Sequence, residues 1–458
     1  MKLNIPWINS RKRFLLASIC DGLINIIFYS FLYSIQFNSY PNFIVTLSMS
    51  CFWIILSYIL GRYKVCKQNN FREVVKSIVK ANVIFLLCNL TYLCLNWSSK
   101  FLILLFSRSN VNLDLTQSQN IFFLKTTFII SLFSCFLQYF LSILSYRINN
   151  QSKYWLFYGS IIDLSDFKKE IRNLKNNVKL KRIGVKTNFN KIDYEKIEGI
   201  VIGNNVDMTQ NDIDKIFYLK SKGFNVINVL NWCEIYLHRI PPYMINNKFK
   251  IIEKFNSIDE SYNIRVKRIG DFIVSLFLLF ITLPLSILTA LFIYLEDFGP
   301  IFYSQVRTGF RGEKIIIYKF RSMIKNAEKK GPQWAKNEDK RITKIGKIIR
   351  ATRIDELPQL LSVLDGTMSL IGPRPERPVF EEKFLEEIPF YKYRTIVKPG
   401  ISGWAQVNYP YGASLEDSIN KLSYDIYYIN HISFLLDLLI LIKTIKTVFN
   451  AKGLVSLK

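Results

Sequence analysis

Phe272-Ile-Val-Ser-Leu-Phe-Leu-Leu-Phe-Ile-Thr-Leu-Pro284-Leu-Ser-Ile-Leu-Thr-Ala-Leu-Phe-Ile-Tyr-Leu295 is the stretch on which the architecture turns. As a helix it is long enough to cross the ~30 Å hydrocarbon core of a bilayer. Both flanks are basic, with Arg265, Lys267 and Arg268 before it and Arg307, Arg311, Lys314, Lys319 and Arg321 after. A full crossing would strand one positive cluster on the outer face, against the retention of Lys and Arg on the cytoplasmic side. Pro284 lacks an amide hydrogen and clashes with the preceding turn, so it bends a helix near the middle of the run. A re-entrant helix, which enters and leaves on one side with its break at Pro284, satisfies both facts. A kinked fifth span is the alternative.

Upstream, four more apolar segments occupy the first 150 residues: Phe14 to Phe37, Phe43 to Leu60, Ile78 to Asn96 and Ile121 to Tyr146. Lys2, Arg11, Lys12 and Arg13 precede the first, and Arg62, Lys64, Lys67, Arg72 and Lys76 lie between the second and third. Positive-inside reasoning makes both sites cytoplasmic and returns the chain to the cytoplasm at Arg147. The N-terminus shows no small-residue cleavage site and reads as a retained anchor. Asp21, inside the first segment, reads as an interface-snorkelling or helix-pairing carboxylate.

The chain has 458 residues, 50% of them hydrophobic and 15% aromatic, with 61 Lys and Arg against 35 Asp and Glu. The net charge of +26 suits anionic lipid or a phosphorylated ligand. Nucleic acid is the poorer partner, because the basic residues flank apolar segments instead of forming a recognition helix or an aromatic-bearing sheet. The seven cysteines form no CxxC pair and read as small core residues. His238 and His431 are isolated, without metal-ligand spacing. Three domains are expected: transmembrane helices over 1–150, a cytoplasmic α/β module over 151–260, and a third domain over 261–458.

In the second domain Tyr154 to Tyr158, Gly199 to Ile202 and Phe224 to Leu230 read as strands of a small parallel layer. Gly159 follows the first, but no GxGxxG fingerprint accompanies it, so no dinucleotide is expected there. The C-terminal run Phe434 to Phe449 reads as an interfacial helix.

The chemistry concentrates in Arg350-Ala-Thr-Arg353-Ile-Asp355-Glu356-Leu-Pro358-Gln-Leu-Leu-Ser-Val-Leu-Asp365-Gly366. Leu357, Leu360, Leu361 and Leu364 recur at helical spacing, Pro358 suits a first turn, and Gly366 is a stop. Asp355 and Glu356 therefore stand at or just before a helix N-terminus, where amides and the dipole favour anions, with Arg350 and Arg353 close by. One carboxylate could attack phosphorus while the other holds a divalent cation. An isolated Asp-Glu pair would read only as an N-cap and a first-turn acid.

The company of this pair changes that reading. Tyr318-Lys319-Phe320-Arg321-Ser322-Met323 and Asp339-Lys-Arg341-Ile-Thr343-Lys-Ile-Gly346 precede it. Met368-Ser369-Leu-Ile-Gly372-Pro373-Arg374-Pro375-Glu376 and Lys398-Pro399-Gly400-Ile-Ser-Gly403-Trp404-Ala-Gln406-Val-Asn408 follow it. The series resembles the bacterial sugar transferases, the polyprenyl-phosphate glycosylphosphotransferases, from Arg265 to the C-terminus. The first 260 residues resemble the membrane and Rossmann-like modules of the larger, exopolysaccharide-initiating members.

The resemblance implies a membrane protein with an N-terminal four-helix transmembrane bundle, a Rossmann-like α/β module and an α-rich monotopic catalytic domain on a re-entrant membrane helix. It implies Mg²⁺ dependence and a phosphosugar held covalently on Asp355, with Glu356 as the metal ligand. Lys319, Arg321, Arg341, Arg350, Arg353, Arg374 and Glu376 become the candidate phosphate- and substrate-binding set. Arg374, framed by two prolines, offers a guanidinium fork matched to phosphate. Family members often carry a basic residue where this chain has Ala351.

The implied reaction transfers sugar 1-phosphate from a UDP-sugar to undecaprenyl phosphate and releases UMP, beginning exopolysaccharide, capsule or O-antigen synthesis. It would take place at the cytoplasmic face of the bacterial inner membrane, among membrane lipids, in a possible homodimer. Glucose or galactose phosphate is the cargo expected from the larger members. The rivals are a glycosyltransferase that releases a nucleoside diphosphate and a non-catalytic membrane scaffold; a decayed Asp-Glu or Pro-Arg-Pro motif would favour the scaffold, and both motifs are intact.

Overall fold

A computed structural model describes residues 12–60, 62–63, 78–92, 113–149, 154–172, 179–183, 197–204, 206, 208–245, 262–325, 327, 339–410, 412 and 414–449. The chain divides into two compact units, Met1–Lys153 and Tyr154–Lys458.

In the first unit α1 (Lys12–Phe37), α2 (Phe43–Ile59), α3 (Ile78–Tyr92) and α4 (Leu113–Asn149) fall on the four apolar segments. Leu15–Phe37 and Asn120–Leu141 are long and apolar enough to cross a membrane, whereas α2 and α3 are shorter apolar helices. Outward residues such as Phe31, Ile44, Phe128 and Phe136 are exposed, as expected of helices that meet lipid instead of water. These are the helices of a membrane-associated protein.

Polar groups turn inward. Asp21 and Arg62 are fully buried with Nη1 3.2 Å from Oδ2, and the Tyr63 hydroxyl donates to the same Oδ2 at 2.9 Å. Arg62 Nη2 donates to Ser134 Oγ at 2.6 Å, and Ser134 donates to Asp21. Of the two readings of Asp21, the structure bears out helix pairing: snorkelling needs an exposed head group, and this one ties α1 to α4 through the residues just after α2. Lys64, Lys67, Arg72 and Lys76 lie outside the described residues.

The second unit opens on four parallel strands, β1 (Tyr154–Tyr158), β2 (Lys179–Ile183), β3 (Ile197–Ile202) and β4 (Asn225–Asn228), in spatial order β2-β1-β3-β4. α5 (Ile161–Arg172) and α6 (Gln210–Ser221) alternate with them. β1 buries residues of both faces: Trp155 and Phe157 join Phe167, Val201 and Trp232, while Leu156 and Tyr158 join Ile197, Ile200 and Leu219. A strand between two parallel neighbours is covered on both faces, which explains its unbroken apolar run. The expected third strand is shorter than its pattern, because Asn228 caps a helical turn at Val229–Trp232.

α7 (Tyr262–Asp297) is helical without interruption through Pro284. Its middle is exposed and apolar, with Phe277, Phe280, Ile281 and Ile287 all outward. Both of its ends dock on the same domain. At the start, Lys267 Nζ lies 2.7 Å from Asp437 Oδ2, Arg268 donates to the carbonyls of Val363 and Leu364, and Asp271 accepts from Ser369 Oγ at 2.6 Å. At the finish, Ile293 packs with Phe320 and Ile349, with Ile354 and Leu357 against that cluster, and Glu296 accepts from Lys344 N at 2.8 Å.

The hairpin β5 (Phe302–Thr308) and β6 (Lys314–Phe320) follows, then α8 (Lys344–Ala351), α9 (Gln359–Asp365), β7 (Ser369–Ile371), α10 (Pro378–Glu387), β8 (Gly400–Ser402), α11 (Trp404–Asn408), α12 (Leu415–Asn430) and α13 (Phe434–Phe449). α13 buries Leu436 and Ile440 and exposes Phe434, Leu435, Leu438 and Ile445. The α/β layer joins this domain through Trp404 Nε1, which donates to His238 O at 2.9 Å, Ile240 N to Ser423 O at 2.9 Å, and His431 Nε2 2.7 Å from Glu234 Oε1. The two histidines thus belong to an internal joint.

Candidate active site

α8 ends at Thr352, and Arg353 adopts a left-handed backbone at φ 58° that turns the chain into a 3₁₀ turn over Ile354–Glu356. A non-glycine residue in this region costs on the order of 1–3 kcal/mol, so the surroundings hold the turn in place. Ile354 and Leu357 supply that hold by packing against the core at the end of α7. Between them Asp355 and Glu356 are both buried.

The pair precedes α9, as its pattern predicts, although the anion-favouring groups differ from expectation. The amides of Glu356, Leu357, Leu360 and Leu361 all bond carbonyls three residues back. Side-chain cations face the carboxylates instead. Glu356 Oε1 accepts from Arg374 Nη2 at 2.8 Å and Lys319 Nζ at 3.1 Å, and Oε2 lies 3.4 Å from Arg353 Nη1. β6 delivers Lys319 because strand alternation sets it on the face of Ile315 and Ile317, toward the domain.

The electrostatic outcome separates the two acids. Burial alone would raise Glu356, but Arg374, Lys319 and Arg353 outweigh it and hold this carboxyl well below the ordinary range. Burial, and next the charge on Glu356, push Asp355 up to about 6 against the pull of Lys319, Arg350 and Arg374. The Asp355 carboxylate takes no hydrogen bond from any described residue. Lys319 is lowered by burial first, then by Arg374, with Glu356 opposing.

Of the sequence candidates, Lys319, Arg353 and Arg374 converge on Glu356, and Arg350 acts on Asp355 from the last turn of α8. Arg321 pairs with Asp297 at the end of α7, and Arg341 forms a pair with Asp339 at 2.6 Å. Neither meets Glu356. Glu376 lies 3.9 Å from Arg307 Nη1 and contributes its backbone carbonyl to Thr308 N at 2.9 Å. Sequence reasoning treated Arg307 only as a flank of the apolar run. It is half-buried beside the site, donates to Pro375 O at 3.3 Å, and is lowered to about 10 by desolvation and then by Arg374. Arg394 and Asp425 escaped notice too, since neither lies in a dense motif.

Mg²⁺ fits this donor set in the manner of phosphate enzymes. Among the described residues no three His, Cys, Asp or Glu side chains cluster as a metal cage. Magnesium commonly takes one or two carboxylates, keeps water, and shares substrate phosphates. Asp355, with hard oxygens free of hydrogen bonds, offers that, and Glu356, which takes two donors on Oε1 and one on Oε2, keeps a lone-pair site beside it.

Residues 262–451 match the bacterial sugar transferase family. The chain is similar to an Aeromonas hydrophila protein named UDP-N-acetylgalactosamine-undecaprenyl-phosphate N-acetylgalactosaminephosphotransferase, 48% identical over 188 residues, 41% of this chain and 44% of that one. It is similar to a Klebsiella pneumoniae UDP-glucose:undecaprenyl-phosphate glucose-1-phosphate transferase, 39% identical over 202 residues, 43% of each chain. The matched part thus spans less than half the length of these two relatives. A Bacillus subtilis uncharacterized sugar transferase is 38% identical over 193 residues, 41% of this chain and 90% of its own. A match over nearly the whole of that shorter protein establishes a shared catalytic domain, and the chain belongs to the bacterial sugar transferase family.

Proposed function

We propose that this protein transfers a sugar 1-phosphate from a UDP-sugar to undecaprenyl phosphate, releasing UMP, through a phosphosugar carried on Asp355. The observation that supports this best is the contrast within the acidic pair: a buried carboxylate without hydrogen bonds beside one held by three cations. An Asp355 oxygen attacks the sugar-side phosphorus of the diphosphate, the bond to the bridging oxygen breaks, and UMP departs. An oxygen of the lipid phosphate then attacks the same phosphorus and returns Asp355 as a carboxylate. Arg374 and Lys319, which meet at Glu356 Oε1, would stabilise the negative charge that develops on the phosphate oxygens. Asp355 and Glu356 would hold Mg²⁺ with the diphosphate, and the ion would supply neutralisation of phosphate charge.

The donor we favour is UDP-N-acetylgalactosamine, in place of the glucose or galactose expected from sequence. The relative named for N-acetylgalactosamine phosphate is 48% identical, against 39% for the one named for glucose phosphate. Purified protein with undecaprenyl phosphate should release UMP faster from UDP-N-acetylgalactosamine than from UDP-glucose. Release of UDP would assign the chain to the rival glycosyltransferase class instead.

The reaction belongs at the cytoplasmic face of the inner membrane, at the start of a surface polysaccharide. A straight α7 would hold Arg268 and Ile293 roughly 37 Å apart, while the stretch between their docking points, Leu357 to Leu364, rises only about 10 Å as a helix. That mismatch supports a continuous helix bent at Pro284 so that both ends return to one side, the re-entrant reading. Strand order β2-β1-β3-β4 supports the Rossmann-like reading of the α/β layer. The four helices of the first unit are read as a transmembrane bundle on their apolar exterior and buried ion pair.

A further inference from the structure

Pro373 and Pro375 have no backbone N–H, so the loop carrying Arg374 must be held largely through its carbonyl oxygens. Four consecutive ones are taken. Pro373 O accepts from Gly400 N at 2.9 Å, Arg374 O from Arg394 Nη2 at 2.8 Å, Pro375 O from Arg307 Nη1 at 3.3 Å and Glu376 O from Thr308 N at 2.9 Å. The donors come from β8, from the 3₁₀ segment Tyr391–Ile396 and from β5.

We infer that Arg394, locked by Asp425, is a positioning residue for Arg374; the functional consequence rests on Arg374 meeting the donor phosphate. Arg394 is almost entirely buried, and its Nε donates to Asp425 Oδ2 at 2.9 Å while Nη1 donates to the Tyr391 hydroxyl. Asp425, on α12, is 1% exposed. The planar guanidinium therefore bridges α12, Tyr391 and the main chain of Arg374 at once. The single ammonium of lysine cannot reach all three in a fixed plane. A buried ion pair contributes little net stability over apolar packing of the same volume. Its geometric effect is specific: it fixes the peptide from which the Arg374 side chain reaches Glu356, 2.8 Å away, with its own surface 35% open toward solvent.

The test uses full-length protein with Arg394→Lys and the nearly isosteric Asp425→Asn. Amide hydrogen exchange over 369–377 and at Gly400 should quicken in both variants, while the β1 strand Tyr154–Tyr158 keeps its native protection and reports intact folding. With UMP release as the readout, kcat/KM should fall on the order of 10- to 100-fold, and Arg394→Lys should add almost nothing to Arg374→Ala. Unchanged exchange in the loop, or losses that multiply in the double variant, would overturn the inference. If the native protein releases no UMP from any UDP-sugar, the proposed function fails, and the exchange result alone decides the positioning role.

Discussion

Asp355 and Glu356 are adjacent in the chain yet held in opposite electrostatic states. Glu356 faces Arg374 at 2.8 Å, Lys319 at 3.1 Å and Arg353 at 3.4 Å, while Asp355 receives no hydrogen bond from a described residue and is pushed up to about 6. A nucleophile needs free lone pairs, and Asp355 has more of them than a carboxylate that anchors three cations.

Asp355→Asn should abolish turnover and covalent capture of label from the sugar-phosphate half, yet make the protein more stable at neutral pH. The folded-state value of Asp355 lies above its ordinary 3.8, so the folded state binds the proton more tightly than the unfolded chain. Stability then falls as pH rises from about 4 to about 6, and the penalty is complete above that window, up to about 3 kcal/mol. Thermal unfolding of both proteins across this range checks it: the gap should close near pH 4. A lower Tm for the variant at pH 7.5 would count against the burial of an unpartnered carboxylate. Native activity should decline as pH drops through about 6.

Glu356→Gln should fail differently. The amide keeps one acceptor oxygen but leaves Lys319, Arg353 and Arg374 without their shared anion, and breaking such a buried pair costs about 3–5 kcal/mol. Unfolding should come at lower temperature, and activation should need more Mg²⁺. An unchanged Mg²⁺ dependence together with native stability would sink this assignment.

Gly159→Val should weaken the α/β layer without removing a cofactor. A Cβ at Gly159 would sit 2.9 Å from the Phe157 ring and 3.1 Å from Gly203 Cα. A lower Tm with unaltered kcat per folded molecule is expected. Nicotinamide or flavin bound stoichiometrically and required for turnover would contradict this.

The re-entrant reading places residues on both sides of α7 in the cytoplasm. With native cysteines removed, a cysteine replacing Lys325 should stay unlabelled by an impermeant reagent in intact cells. Reaction from the periplasm would make α7 a fifth span.

Local features were legible in the sequence, and distant ones were not. The Asp355-Glu356 turn, the Pro-Arg-Pro loop and β1 each declare themselves within a few residues, through turn chemistry or an unbroken apolar run. β2 did not, because Lys179-Leu-Lys-Arg-Ile183 is a basic edge strand whose pairing to β1 supplies what its own pattern lacks. Arg321 and Arg341 looked equal to Lys319 and Arg353, yet in three dimensions they are matched by Asp297 and Asp339. Asp425 is invisible as a site residue because its partner, Arg394, stands 31 positions away.

The fastening of the Pro-Arg-Pro loop has a consequence for the order of biogenesis. Its buckles are scattered from Arg307 to Gly400, and the one on Arg394 is closed only when Asp425 arrives on α12. A nascent or truncated chain can present Asp355 and Glu356 long before Arg374 is aimed. The loop is therefore fully fastened only once α12 has been made, and a chain cut short before Asp425 lacks the lock on the Arg374 peptide.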